Sequence, residues 1–573
     1  MHGEAIKVLS YLSLVMAQAL CFAAVAQTGV QDIFGRSLNQ RGITLVDWDG
    51  YLANPLIKFY VFPPTNAVLP GSATLTVNGA RLYFDIPGNV SASGPGKTIS
   101  LASATVGVAV RLSVFPDRDS LDEDYTLTIV FTGANNAKQT NAVPIHVIDQ
   151  DLQRTNDFIV TGNFDRDTSS FFSNATRRAL VIQAADDWSY FFAGMNLDPV
   201  PAGTETTYIW SNNFNGGYYF SNTNNYSGYL LYAYGTTNSA HRSGGEGSYS
   251  GGVQKSAGLP LGIKRSGGFE AEIYGNYNTL GWLLITNDSD WLVTGNLGHE
   301  TNDFYSIAHH EIGHALIFNP AHPGFNAART AGAFTSAAVT NYYGGRVPID
   351  ASDHLNGAID PESGQGAFGY EYHGNIPRKR WVMTKLDLLC AREVGYVLRP
   401  SSPFASLSFP ATALPPAAMT IPFSYSFIAD GGIPFYDWRI TAGTLPPGLA
   451  LDPFSGTLTG TPASNGTFTF TVRVRDYHEA GDGLSQSLTM IVAPPPPVQL
   501  ALSIFGQGVD SEAHLLLFGI AGQRQVIQAS GDLSTWNAIA TNVSAASLFQ
   551  FFETNRWQFP QRFYRAVVAL SDP

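Results

Sequence analysis

From Asp32 to about Arg154, apolar and polar residues alternate in short runs separated by Gly, Pro and Asn: Ala73-Thr74-Leu75-Thr76-Val77, Arg81-Leu82-Tyr83-Phe84, Tyr125 to Val130 and Val143 to Ile148. A period of two, rich in β-branched residues and punctuated by turn formers, predicts an antiparallel sandwich over 27–155. After Asn156 the period changes. Leu180, Ile182, Ala185, Trp188 and Phe191 recur at helical spacing between Ser170 and Phe192, and a second such stretch runs from Asp303 to Phe318. It stops at Asn319-Pro320, because proline cannot continue a helix. A third helix is expected from Thr384 to Val394, and strands at Glu270 to Tyr274 and Gly281 to Thr286. The Asn-, Gly- and Tyr-rich stretch Tyr208 to Gly252 reads as a flexible loop outside the core. Residues 156–400 are therefore predicted to form an α+β domain with a cleft, and β texture returns at Ser401.

Three stretches carry resemblances. Leu121-Asp122-Glu123-Asp124-Tyr125-Thr126-Leu127-Thr128, followed by Val147 to Asp151, resembles the end of a Calx-beta repeat. That resemblance implies calcium between loops, with Asp117, Asp119, Asp122 and Asp124 as oxygen ligands; a solvated acidic loop is the alternative. Within 401–493, Leu445-Pro446-Pro447-Gly448-Leu449 and Gly456 to Pro462 resemble paired turns of the Ig-like modules of secreted bacterial proteins, a likeness of fold that carries no chemistry. Pro494 to Pro497 form a stiff spacer before a last β module, 494–573, which is similar to C-terminal modules of exported bacterial proteins and suits surface or matrix attachment or a passive spacer role.

Composition narrows the class. Only 13% of the 573 residues are charged, against roughly 25% in an average domain, while Gly (57) and aromatics (12%) are abundant, so disorder is excluded. A net charge of −13 lacks the basic footprint that nucleic-acid binding needs. Residues 1–26 read as a secretory signal: Lys7, an apolar run from Val8 to Ala24, then Ala24-Val25-Ala26 as a cleavage site before Gln27. No later segment is long enough to span a bilayer, so the chain is expected to be extracellular. With Cys21 in the signal, Cys390 is the only thiol left, and no internal disulfide can form.

The chemistry sits in His309-His310-Glu311-Ile312-Gly313-His314-Ala315-Leu316-Ile317-Phe318. His310 and His314, one helical turn apart, project from one face at the spacing a zinc ion requires, and Glu311 lies beside that face as a general base. Seven of the twelve histidines, His299, His309, His310, His314, His322, His354 and His373, fall in this region. His309 has no histidine one turn away and reads as a group behind the ligands or on the surface.

This segment resembles the zincin metallopeptidases, in particular the metzincin and leishmanolysin-like branch. The fold class expected is thus multidomain, an α+β zincin-like catalytic domain flanked by all-β Ig-like and Calx-beta-like sandwiches. Metzincins carry a glycine three residues after the second His and a third His three further on; Ile317 and Pro320 stand there, so the third ligand must come from elsewhere. His354, in Asp350 to Gly357, is the first choice, with His322, His373 and the carboxylates Glu371 and Glu393 as alternatives. The resemblance further places Met383 at a methionine turn, or in the core as a gap filler, and Leu386 to Tyr396 in a closing helix with Cys390 as an apolar core residue. It implies a secreted zinc metalloendopeptidase that cleaves a protein or peptide with a zinc-activated water, Glu311 as general base, and Tyr370, Tyr372 or His373 beside the oxyanion. The competing reading is a secreted adhesion or matrix-binding protein with a structural or inactive zinc site.

Overall fold

The computed structural model describes residues 29–568 except 65–70, 80, 86–97, 102–106, 118, 152–157, 194–198, 212–215, 237–244, 250–264, 273–303, 321, 356, 369–380, 400–401, 411–412, 434, 478–482, 496–498, 506–510, 520–523 and 544–547. The signal segment 1–26, the strand expected at Gly281 to Thr286, and His299, Tyr370, Glu371, Tyr372 and His373 lie outside the described residues. The protein is multidomain and mostly β. Two compact units are Met1–Ala405 and Ser406–Pro573.

The first unit begins with two sheets of short strands, antiparallel as expected except that Ile43–Asp47 runs parallel to Lys138–Asp149. One sheet has the order Ile43–Asp47, Lys138–Asp149, Glu123–Thr132, Ser72–Val77, Thr98–Leu101; the other runs Gly29–Asp32, Ile57–Phe62, Val108–Val114, Leu82–Asp85. Burial alternates along Ser72–Val77 and Ile57–Phe62, so Ala73, Leu75, Val77, Ile57, Phe59 and Val61 turn inward, as the period of two requires.

A mixed sheet follows. Val160–Asn163, Tyr229–Thr236 and Ser266–Glu272 are parallel neighbours, and Gly245–Tyr249 closes the edge antiparallel. Helix α1 (Ala175–Tyr190) belongs to the crossover between the first two strands, and α2 (Phe304–Leu316) packs against α1 and across the last two. Among the described residues of the unit three shorter helices follow: α3 (Pro323–Ala328), α4 (Ala337–Tyr343) and α5 (Lys385–Val394), with α5 packed on α3 and α4. The three helices expected from the sequence are thus α1, α2 and α5.

The stretch Tyr208 to Gly252 corrects an expectation. It forms a hairpin, Thr206–Ser211 with Gly216–Ser221, and then the interior strand Tyr229–Thr236. Tyr229 to Tyr234 are all buried, with Leu230, Tyr232 and Tyr234 in a cluster that also receives Phe220 of the hairpin. Asn and Gly are abundant at the turns, and averaging them with the strand hid a segment whose tyrosines bury their rings on both faces. Tyr229 meets its remaining polar demand by donating its hydroxyl to the Ala315 carbonyl at 2.6 Å.

In the second unit, Trp438, Leu458, Phe470, Val472, Leu488 and Met490 fill a two-sheet sandwich. Its two turn motifs sit side by side because Leu449 pairs with Gly460. Two three-stranded sheets follow around Leu515, Leu517 and Ile527. No helix among the described residues is long and apolar enough to cross a membrane.

Candidate metal centre

Helix α2 carries His309 to Leu316, including His310, Glu311 and His314, and nearly all of its side chains are buried. Its backbone is fixed from three directions: Trp188 Nε1 of α1 donates to the His309 carbonyl at 2.9 Å, Tyr229 to that of Ala315, and the Tyr396 hydroxyl to that of Leu316 at 2.7 Å. The last two satisfy carbonyls that the helix C-terminus leaves without an internal partner. Gly313, inside the motif, stands where a Cβ would overlap Phe368 Cε2 and lie 3.1 Å from both Phe368 Cζ and Trp188 Cζ2. The glycine lets the aromatic wall come this close.

His310, His314 and His354 converge. His354 Nε2 lies 3.1 Å from His310 Nε2 and 3.1 Å from His314 Nε2, and the three ligand atoms fall within 4.8 Å of one another. His354 arrives on a tight turn in which Asp350 Oδ1 accepts from the backbone amides of Ser352 (2.8 Å) and His354 (3.1 Å), and Asp350 Oδ2 lies 3.6 Å from His354 Nδ1. His314 Nδ1 is 2.7 Å from the Phe318 carbonyl, which accepts only from an N–H, so that contact leaves Nε2 as a lone pair. Burial and the neighbouring His354 push His314 down to about 3, so it is neutral at pH 7. Glu311, one residue after His310 and three before His314, is 4% exposed.

Phe368 roofs the group. Its ring stacks on His310 (4.6 Å between centroids, 4° between planes), meets His314 edge-on at 4.8 Å and rests on Phe318 at 4.2 Å. Its amide donates to Asp387 Oδ1 at 2.8 Å. Asp387 also closes a capping box with Thr384 at the start of α5, and burial pushes its carboxyl up to about 7.

The donor set fits a zinc ion. Zn–N bonds of about 2.0–2.1 Å in a tetrahedron separate ligand nitrogens by roughly 3.3 Å, close to the two contacts of 3.1 Å. Three imidazoles also leave a fourth position open, as a reactive site requires.

Other candidates go elsewhere. His322 Nδ1 caps α3, accepting from the amides of Gly324 (3.1 Å) and Phe325 (3.4 Å). Glu393 is a neighbour of Arg392 on α5. His309 is fully buried, which excludes a surface position: its Nε2 lies 2.6 Å from Asp187 Oδ2, the same oxygen to which the Tyr305 hydroxyl donates. Met383 and Cys390 are both fully buried, and burial pushes the Cys390 thiol up.

Of the four aspartates suggested for calcium, Asp117 alone joins a convergent group among the described residues, with Asp47 and Asp149. Arg81 reaches Asp47 at 2.5 Å, Asp117 at 3.0 Å and Glu123, so a guanidinium supplies positive charge at that spot. Asp119 and Asp122 cap backbone amides, and Asp124 pairs with His146. Sequence reading missed Phe368, Asp187 and Asp387; the acidic residue four positions before His354 was the one available signal for Asp350.

Residues 405–493 match the family described as Putative Ig domain. No curated protein matches the chain. Among solved structures, a putative alpha-galactosidase from Bacteroides fragilis is similar at 22% identity and TM-score 0.14, covering 15% of this chain and 17% of that one, well under two thirds of its length. The periplasmic chaperone SfaE is similar at 7% identity and TM-score 0.15, covering 43% of this chain and 99% of that one. The C-terminal domain of the Streptococcus agalactiae AgI/II polypeptide BspA is similar at 12% identity and TM-score 0.15, covering 32% and 61%. The 405–493 segment of this chain is thus an Ig-like module.

Proposed function

We propose that the protein is a secreted zinc metallopeptidase, with 156–400 as its zincin-like catalytic domain and His310, His314 and His354 as the metal ligands. The observation that carries this reading is the convergence of three imidazole nitrogens, two of them from the helix that also carries the buried Glu311. A zinc ion held by these three imidazoles would supply Lewis acidity toward a scissile carbonyl and a bound water. The chain's own residues do the rest. Glu311 takes the proton of the attacking water and hands it to the departing amine. Phe318 fixes the tautomer of His314, Asp350 orients His354, and Phe368 covers two of the imidazoles, excluding water from their faces. The Ig-like module and the C-terminal sheets serve attachment to a surface or matrix.

Glu311→Gln tests the assignment. The variant is expected to hold one zinc per chain and to lose hydrolysis of a fluorogenic peptide by about a thousandfold or more. Full activity in that variant removes the peptidase mechanism.

A further inference from the structure

The N-terminal sandwich drives one loop into the body that holds the candidate site. Between Ile43–Asp47 and Ile57–Phe62 the chain passes through Trp48, Tyr51, Leu52, Ala53 and Asn54, each at most 1% exposed, which is unusual for a connection between two strands of a sandwich. Leu52 bridges to Met383, and the Ala53 amide donates to the Met383 carbonyl at 2.8 Å, just ahead of α5. The Leu56 amide donates to the Glu362 carbonyl at 2.9 Å, and Gly364 (φ 67°) stands where a Cβ would lie 2.5 Å from Leu56 Cδ1. Lys385 lies over the Trp48 ring, and Gln365 donates to the Tyr83 hydroxyl at 3.2 Å.

The deepest of these contacts touches α2 itself. The Tyr51 ring stacks on His309 (5.5 Å, 7°) and meets Tyr305 edge-on at 5.4 Å. His309 is the residue before His310, and its other ring contacts and its hydrogen bond to Asp187 tie α2 to α1 and to Trp381. Tyr51 therefore completes the packing on the side of α2 opposite the convergent nitrogens.

We infer that residues 27–155 are a permanent buttress of the catalytic unit, not a detachable leader domain, and that Tyr51 is a positioning residue that acts through His309 on His310 and Glu311. The second half rests on the peptidase reading; the first does not. A propeptide must leave without taking core with it, whereas removal of this loop opens an apolar trench along α2 and α5.

A specific protease site inserted at 155–156 of the full chain tests the first half without reference to activity. After cleavage the two fragments are expected to co-elute in native buffer and to separate only in denaturant; fragments that part in native buffer, leaving the larger one with its melting transition intact, overturn the buttress. The positioning role is read from zinc affinity. Tyr51→Ala should weaken zinc binding about tenfold or more, Tyr51→Phe should restore it, and Leu75→Ala, deep in the sandwich, should lower the melting temperature while leaving zinc affinity near wild type. Equal zinc affinity for Tyr51→Ala and Leu75→Ala at matched loss of melting temperature overturns positioning. Absence of zinc from the wild-type protein would instead strike the peptidase reading and leave the cleavage result standing.

Discussion

Gly313→Ala sets two physical effects against each other. Helix propensity alone favours the substitution by about 1 kcal/mol, since Gly is the poorest helix former after Pro. The new methyl, however, overlaps Phe368 Cε2 and reaches 3.1 Å from Trp188 Cζ2. Phe368 cannot yield freely, because it is held between His310, His314 and Phe318 and anchored through its amide to Asp387. Trp188 is tied to the His309 carbonyl. Overpacking of this kind costs about 1–3 kcal/mol, which exceeds the propensity gain over most of that range. The net cost of up to about 2 kcal/mol should lower the melting temperature of the zinc-free form by up to about 4 °C. A displaced Phe368 also shifts two imidazoles, so zinc affinity should fall about tenfold or more. Thermal melts with and without chelator, with zinc titration by competition against a chromophoric chelator, measure both. A variant that is more stable than wild type and binds zinc unchanged would refute the claim that Gly313 exists to admit the aromatic wall.

Three further outcomes are expected. His354→Ala should abolish tight zinc binding, whereas His322→Ala should lose the α3 cap and its buried packing, about 1 kcal/mol or more by denaturant titration, and keep its zinc. Arg81→Gln leaves Asp47 buried without its cation and should destabilise the fold by about 3–5 kcal/mol, read as a drop in melting temperature. Burial, with Asp149, Asp47 and Asp49 nearby, pushes Asp151 from 3.8 up to about 8. The folded state therefore keeps a proton that the unfolded chain releases, and stability falls as pH rises from about 4 to 8. Asp151→Asn retains an acceptor for the Gly50 amide and lacks the titration, so its melting advantage over wild type should grow from pH 5 to pH 8.5; a constant difference contradicts this.

The residues legible in the sequence were those whose spacing is local. A period of two exposed the sandwich, and a four-residue step put His310 and His314 on one face of α2. His354 could be nominated only by its setting, since a turn fixed by Asp350 brings it to the pair from forty residues away. Phe368 carried no signal at all: its role depends on a fold that brings Gly313, Asp387 and Phe318 together. Tyr229–Thr236 was misjudged because buried tyrosines count as polar in an average, although their hydroxyls can find carbonyls inside the core. The wedge of Tyr51 between distant elements has no periodic signature in its own segment.

The central claim is tested most directly by X-ray absorption at the zinc edge on the purified, zinc-loaded full chain. The account predicts one zinc per chain with three imidazole nitrogens at about 2.0–2.1 Å and one further light atom, reduced to two imidazoles or to no bound zinc in His354→Ala. A chain that takes up no zinc, or a spectrum whose imidazole contribution is unchanged in His354→Ala, would contradict it.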